Sequence, residues 1–285
     1  MTKQSFDVRK SITAGESATW LRCGVVIGLA SLVLLGLWFA PALAFNLGVA
    51  VVVVMGTREF YLLNNLGIRN PLYRWAGVLG AGLLALQMIV LPVMESIAVP
   101  VVVMLIFSLA VVNTRSPNPE EFRELLLVSY GVLYTAGMFG QLILIRNGRA
   151  GREVSGILIL TVLAGDVGAY WGGSLFRSGK LLNASIHPRK SYRGAVVGVV
   201  AAVGTAVFVS RFLDVHFTIL RAAIFGACVG MACQFGDLSE SYMKRVAGRR
   251  HSGTLLGPEG GVLDYVDAMT FAVVVVRLLL FVWGD

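Results

Sequence analysis

Residues 236–267 read GDLSESYMKRVAGRRHSGTLLGPEGGVLDYVD, nine charged side chains set between two apolar runs. Those runs decide the fold. The chain of 285 residues is 56% hydrophobic and 14% charged, against roughly 25% charged in soluble domains. Outward from the polar stretch, apolar segments near the length that crosses a bilayer, about 20 residues, recur towards both ends. The sequence therefore describes an all-α polytopic membrane protein with about nine transmembrane helices. They begin near Trp20, Leu43, Tyr73, Ile97, Leu125, Val154, Gly194, Thr218 and Tyr265. Spans and short connections use up the length, which divides into a cytoplasmic arm (1–19), an N-terminal transmembrane bundle (20–150) and a C-terminal transmembrane domain carrying the chemistry (151–285).

The run GVVIGLASLVLLGLWFAPALA (24–44) follows cations and ends in an A-x-A pattern, as a signal peptide would. It is long for a signal core and reads as an uncleaved first span. Lys3, Arg9 and Lys10 precede it, and the loops after the second, sixth and eighth spans are also rich in Lys and Arg. This places the N-terminus and those loops in the cytoplasm. Arg146, Arg149 and Arg152, after the fifth span, stand against that pattern. NTRSPNPEEFRE (113–124) reads as a loop that starts the fifth span, with Glu120 and Glu121 near the helix N-terminus. Cys23, Cys228 and Cys233 lie in apolar runs with no metal-binding spacing, so they read as packing residues. The net charge of +8 sits in short loops, which points to membrane topology and anionic lipid headgroups and not to nucleic acid.

Polar residues at the membrane carry the chemistry. A carboxylate at the middle of a span costs about 2.5–3.5 kcal/mol on insertion scales. Asp166, in LTVLAGDVGAYWGGSLF, is either a packing residue or a site residue facing a cavity, and the glycines around it suit both. Asp237, Glu240 and Ser241 share a helix face at the end of the eighth span. Asp264 and Asp267 open the ninth, where the helix dipole alone would favour them. Together Asp237, Asp264 and Asp267 form an oxygen-only set suited to Mg²⁺. Between them lie Lys244, Arg245, Arg249, Arg250 and GPEGG, whose Gly260 and Gly261 let backbone amides approach a phosphate. SIHPRKSYRGA adds Arg189, Lys190 and Ser191 on the same side, so two loops could clamp a lipid headgroup and a nucleoside triphosphate together.

These motifs resemble the phosphatidate cytidylyltransferase (CDP-diacylglycerol synthase) family. Its signature S-x-x-K-R-x4-K-D-x-G-x2-L-x2-H-G-G-x2-D-R-x-D falls on Ser241, Lys244, Arg245, Gly253, Leu256, Gly260, Gly261, Asp264 and Asp267. DVGAYWGG and KLLNASIHPRKSYRG resemble two further family segments, and REFY (58–61) is the one match in the N-terminal half beyond hydropathy. The chain looks like a divergent member. Arg250 stands where the family has Lys, His251 where it has Asp, Glu259 where it has His, and Tyr265 where it has Arg; Arg193 replaces a Glu and His187 a Ser. The swapped signs of Arg193 and Glu259 suggest that these two pair across the site.

The resemblance implies an enzyme that condenses CTP with phosphatidic acid, releasing pyrophosphate and forming CDP-diacylglycerol. In that reading Asp237, Asp264 and Asp267 hold Mg²⁺, and Lys244, Arg245 and Arg250 hold phosphates, with Ser241 as a polar contact. Arg189 and Lys190 receive the headgroup or nucleotide, and Asp166 orients the site. The implied cavity opens to the cytoplasm and to the bilayer, in a bacterial inner membrane. Membrane lipids are partners, and a homodimer stays open. Two alternatives remain: a divergent homologue with lost or altered activity, such as a CTP-dependent isoprenoid-alcohol kinase, and a membrane transporter or scaffold.

Overall fold

The computed structural model of this chain describes residues 28, 31–64, 67–92, 95–113, 118–175, 181–187, 190–215, 217–249, 251–253, 255 and 260–284. The chain divides into two compact units, Met1–Ala40 and Pro41–Asp285. In the first, residues 31–39 form a helix, α1. The second contains α2 (Ala42–Leu63), α3 (Pro71–Val90), α4 (Glu95–Asn113) and α5 (Pro119–Val132). A π-helical segment (Leu133–Phe139) leads into α6 (Gln141–Asn147). There follow α7 (Gly151–Leu175), α8 (Tyr192–Val209), α9 (Ile219–Val246) and α10 (Leu263–Trp283). Among the described residues the only extended pairing is an isolated antiparallel bridge between Leu181 and Ser191.

Among the described residues seven helices are long and apolar enough to cross a membrane: α2, α3, the continuous run Pro119–Asn147, α7, α8, α9 and α10. Nine spans were expected. The first falls mostly outside the described residues. The fourth is shorter than expected, an apolar stretch of Ala98–Asn113 with Pro100 near its start. Outward-facing apolar side chains, such as Leu79, Leu83 and Val90 of α3 and Val196 and Val200 of α8, suit a lipid environment.

Local chemistry sets the helix starts. Asn70 and Asn118 each precede a proline at the first helical position, where no N–H is lost. Their side chains accept from Leu72 N (3.0 Å) and Glu121 N (2.7 Å). Glu120 and Glu121 occupy the first turn of α5, as the sequence suggested. Ser191 and Thr218 cap α8 and α9 in the same way.

Packing runs through small residues. A Cβ placed on Gly168 of α7 would lie 2.7 Å from the Ala201 Cβ of α8, and one on Gly198 would lie 2.7 Å from the Gly165 carbonyl. The two backbones are therefore nearly in contact, the arrangement by which membrane helices gain dispersion energy without a hydrophobic drive. Gly226 and Gly230 bring α9 equally close to α8. At the α9–α10 crossing, a Cβ on Gly236 would stand 2.5 Å from the Asp267 carbonyl oxygen. In the N-terminal half, α2 is tied to the α5–α6 run by the Thr57 and Thr135 hydroxyls, 2.6 Å apart, and by the Tyr61 hydroxyl, which donates to the Val128 carbonyl at 2.7 Å.

Candidate functional site

The C-terminal end of α9, the N-terminal end of α10, the loop before α8 and the wall of α7 meet at one end of the bundle. Helix α9 presents Asp237, Glu240, Ser241 and Lys244, spaced three and four residues apart so that they share a face. Lys190, next to the bridge that closes the loop before α8, reaches Asp237 Oδ2 at 2.5 Å. Its ammonium also donates to the Gln234 carbonyl at 3.4 Å. Lys244 pairs with Glu240, one turn back on the same helix, and donates to Asp264 Oδ1 at 2.8 Å. Glu240 is fully buried, so that pairing answers a charge cut off from water.

Asp264 organises the polypeptide before α10. Its Oδ2 accepts from Ser252 N (3.0 Å), Ser252 Oγ (2.9 Å) and Gly261 N (2.9 Å). Gly260 has φ +140°, a conformation that favours glycine, and a Cβ there would stand 2.5 Å from Asp264 Oδ2. Asp267 lies one turn further along α10 and interacts electrostatically with Asp237 and Asp166. Asp166 is accessible on α7 and within electrostatic reach of Asp237 and Lys190. Five carboxylates (Asp166, Asp237, Glu240, Asp264, Asp267) thus surround two ammonium groups (Lys190, Lys244).

Arg245 is exposed and its Nε donates to the Ile186 carbonyl at 3.2 Å, linking α9 to the loop before α8. Ser241 is buried beside Glu240, and Ser191 spends its hydroxyl on the Gly194 N–H at the start of α8. Burial pushes the His187 imidazole below its ordinary value, and Lys190, Lys244 and Arg245 add to that shift while Asp237 opposes it. Arg189, Arg250 and Glu259 lie outside the described residues, and with Glu259 the suggested Arg193–Glu259 pair.

Among the described residues no group of three or more His, Cys, Asp and Glu stands close enough to hold a metal ion. The geometry gives the reason: each lysine occupies a carboxylate that the sequence offered as a ligand. Asp264 is engaged at both oxygens by four donors, whereas Asp237 meets one ammonium group and its side chain keeps 29% of its exposure. The carboxylate oxygens fit a hard divalent cation chemically once the ammonium groups move aside.

Two participants were not legible as site residues. Ser252 is fully buried and gives Asp264 two hydrogen bonds. Glu59 of α2 is 1% exposed, and its Oε2 accepts from Leu263 N at 2.9 Å, 204 positions along the chain. The available signals for Glu59 were its place in REFY (58–61), the one N-terminal segment that resembles the family beyond hydropathy, and an acid next to a long apolar run.

A profile described as the cytidylyltransferase family matches residues 20–283. Phosphatidate cytidylyltransferase of Helicobacter pylori (strain J99) is 39% identical over 131 residues, which cover 45% of this chain and 48% of that protein. Phosphatidate cytidylyltransferase 4, chloroplastic, of Arabidopsis thaliana is 36% identical over 110 residues, covering 39% and 28%. Phosphatidate cytidylyltransferase of a Synechocystis strain is 26% identical over 276 residues, covering 86% and 90%. The matched part spans about half of the Helicobacter relative, 48%.

Proposed function

The chain belongs to the cytidylyltransferase family, and we propose that it condenses CTP with phosphatidic acid to give CDP-diacylglycerol and pyrophosphate. The observation that supports this reading is the interlocked set Lys190–Asp237 and Lys244–Asp264, in which the aspartates and lysines of the matched motifs come together at one end of the bundle. Two polyanions must approach each other, so the site has to neutralise phosphate charge and hold two reactants in line.

A phosphatidate oxygen attacks the α-phosphorus of CTP. The new P–O bond forms as the bond from the α-phosphorus to the bridging oxygen breaks, and pyrophosphate leaves. Lys190 and Lys244 exchange their carboxylate partners for phosphate oxygens, and Arg245 stands at the rim to meet a headgroup. Asp237, Asp267 and Asp264 would hold Mg²⁺, which supplies charge neutralisation on the triphosphate when bound. Of the three, Asp237 and Asp267 carry fewer hydrogen bonds, while Asp264 holds the Gly261 segment. Asp166 orients Lys190 and Asp237 from α7. By the family resemblance Arg189 would receive the headgroup or nucleotide and Arg250 a phosphate, and the proposed cavity opens to the cytoplasm and to the bilayer of a bacterial inner membrane.

The test is purified protein with radiolabelled CTP, phosphatidic acid and Mg²⁺, followed by extraction of labelled lipid. Labelled CDP-diacylglycerol is the expected product; its absence across divalent and monovalent cations rejects the reading. Asp237→Asn should reduce turnover by roughly 10²-fold or more and raise the Mg²⁺ concentration needed for half-maximal rate. An unchanged Mg²⁺ dependence removes Asp237 from the ligand set.

A further inference from the structure

Helix α10 begins without a local cap. Val262, at its N-cap position, makes no side-chain capping bond, although the first N–H groups of any helix need acceptors. One carboxylate from far along the chain takes the first helical N–H, and a second braces the residue before the N-cap. Asp264 takes the Gly261 N–H from within α10, and Glu59 takes the Leu263 N–H from α2.

Glu59 also sets the shape of the preceding polypeptide. A Cβ built on Gly253 would stand 2.6 Å from Glu59 Oε1, and one built on Gly261 would stand 2.5 Å from the same atom. Both glycines are therefore packed closely against the carboxylate. Among the described residues Oε1 meets no hydrogen-bond donor, so its close neighbours are these two backbones. The flanking residues of α2 are fixed in turn: Thr57 is within 2.6 Å of the Thr135 hydroxyl, Tyr61 donates to Val128, and Phe60 is 1% exposed. Glu59 thus sits on an anchored stretch of helix.

We propose that Glu59 is a positioning residue for the cytidylyl-transfer site: it holds Gly253 and the Gly261–Leu263 turn in register, and so fixes the approach of Asp264 to Lys244. The inference rests on the reading of the site given above. It assigns the N-terminal half of the chain a part in the chemistry, through a contact that touches no substrate.

The experiment is a double-mutant cycle in the full-length protein, read out by turnover and by hydrogen–deuterium exchange of the 260–264 segment. Gly261→Ala places a methyl group against the Glu59 carboxylate, and Glu59→Asp withdraws the carboxylate by one methylene. Each single change should lower kcat by roughly 10²-fold, the scale of a 1 Å misplacement, and speed exchange at Leu263. The double variant should recover at least tenfold over Gly261→Ala, because the shorter acid makes room for the methyl. Glu59→Gln, which keeps an acceptor of the same size, should stay within tenfold of the parent.

Non-interacting positions would instead give additive losses, and additivity in both readouts overturns the proposal. So does a Leu263 exchange rate that is unchanged in Glu59→Asp. A parent protein that makes no CDP-lipid rejects the activity alone, because the exchange cycle still reports whether Glu59 holds the turn.

Discussion

Lys244 shows how burial decides the cost of a substitution. Its ammonium answers Glu240, which is fully buried, as well as Asp264, which is 11% exposed. Removing one partner of a buried pair costs about 3–5 kcal/mol, because the other charge stays buried and unanswered. Lys244→Met should therefore lower both the unfolding temperature in detergent and the turnover. Lys190 faces Asp237, whose side chain still reaches water. Lys190→Met should abolish turnover with a smaller loss of thermal stability, and comparing the two melting curves checks the distinction. At this scale the sequence was most informative where charge interrupts apolar runs. Asp166, Asp237, Lys244, Asp264 and Asp267 were all legible on that ground as candidates. Their pairing was not, because which lysine meets which aspartate depends on how the loop before α8 folds back. Glu59 was hidden for the same reason: its acceptor role appears only when residue 263 is brought against α2.

The helices repeat the lesson with backbone instead of charge. The glycines of DVGAYWGG allow close approach: Gly168 comes against the α8 backbone at Gly198, and Gly172 against the Val197 side chain. A side chain at Gly172 would collide with Val197, its Cβ lying 2.6 Å from the Val197 Cβ. Gly172→Leu should lower stability by at least about 1–3 kcal/mol, the ordinary penalty for overpacking, and should move Asp166 away from Lys190. Thermal unfolding of the purified variant measures the first effect, and loss of turnover the second. Helix starts were legible from Asn-Pro pairs and acidic first turns. The π-helical segment Leu133–Phe139 was not, because an extra residue per turn has no pattern of its own in an apolar run. It ends at Gly140, and it places Tyr134 in electrostatic contact with Asp267 and Glu240 beneath the site. Wide helical turns of this kind often occur at functional positions.

For the whole molecule, the reversal of chain direction between α9 and α10 matters most. The end of α9, the start of α10 and the Glu59 end of α2 meet, so these helix ends share one face of the bundle. Lys190, Lys244 and Arg245, from two of the Lys- and Arg-rich segments, meet there, in keeping with the cytoplasmic position proposed for the site. The three arginines that stood against that orientation carry less weight than their number suggests. Arg146 is 8% exposed and lies 6.0 Å from the Phe45 ring centroid, and Arg149 shares a recess of about 340 Å³ with Glu153 and Asp214. Buried or acid-flanked arginines are poor counts for topology. A cysteine in place of Arg249 should react with a membrane-impermeant maleimide only in inside-out vesicles, and one in place of Arg149 only in right-side-out cells. The opposite pattern would invert the proposed orientation. The number of spans was less legible than the fold class, since a stretch such as Ala98–Asn113 is apolar enough to be counted and shorter than a full crossing.

The bare Cα of Gly236 against the Asp267 carbonyl has a mechanical consequence. Asp237 follows that glycine directly, so two main chains in contact limit how far apart Asp237 and Asp267 can stand. The site therefore works like a vice with one fixed jaw. The α9–α10 jaw cannot widen without parting two backbones, so in the proposed reaction any room for a triphosphate would have to come from the Lys190 side, next to the bridge between Leu181 and Ser191.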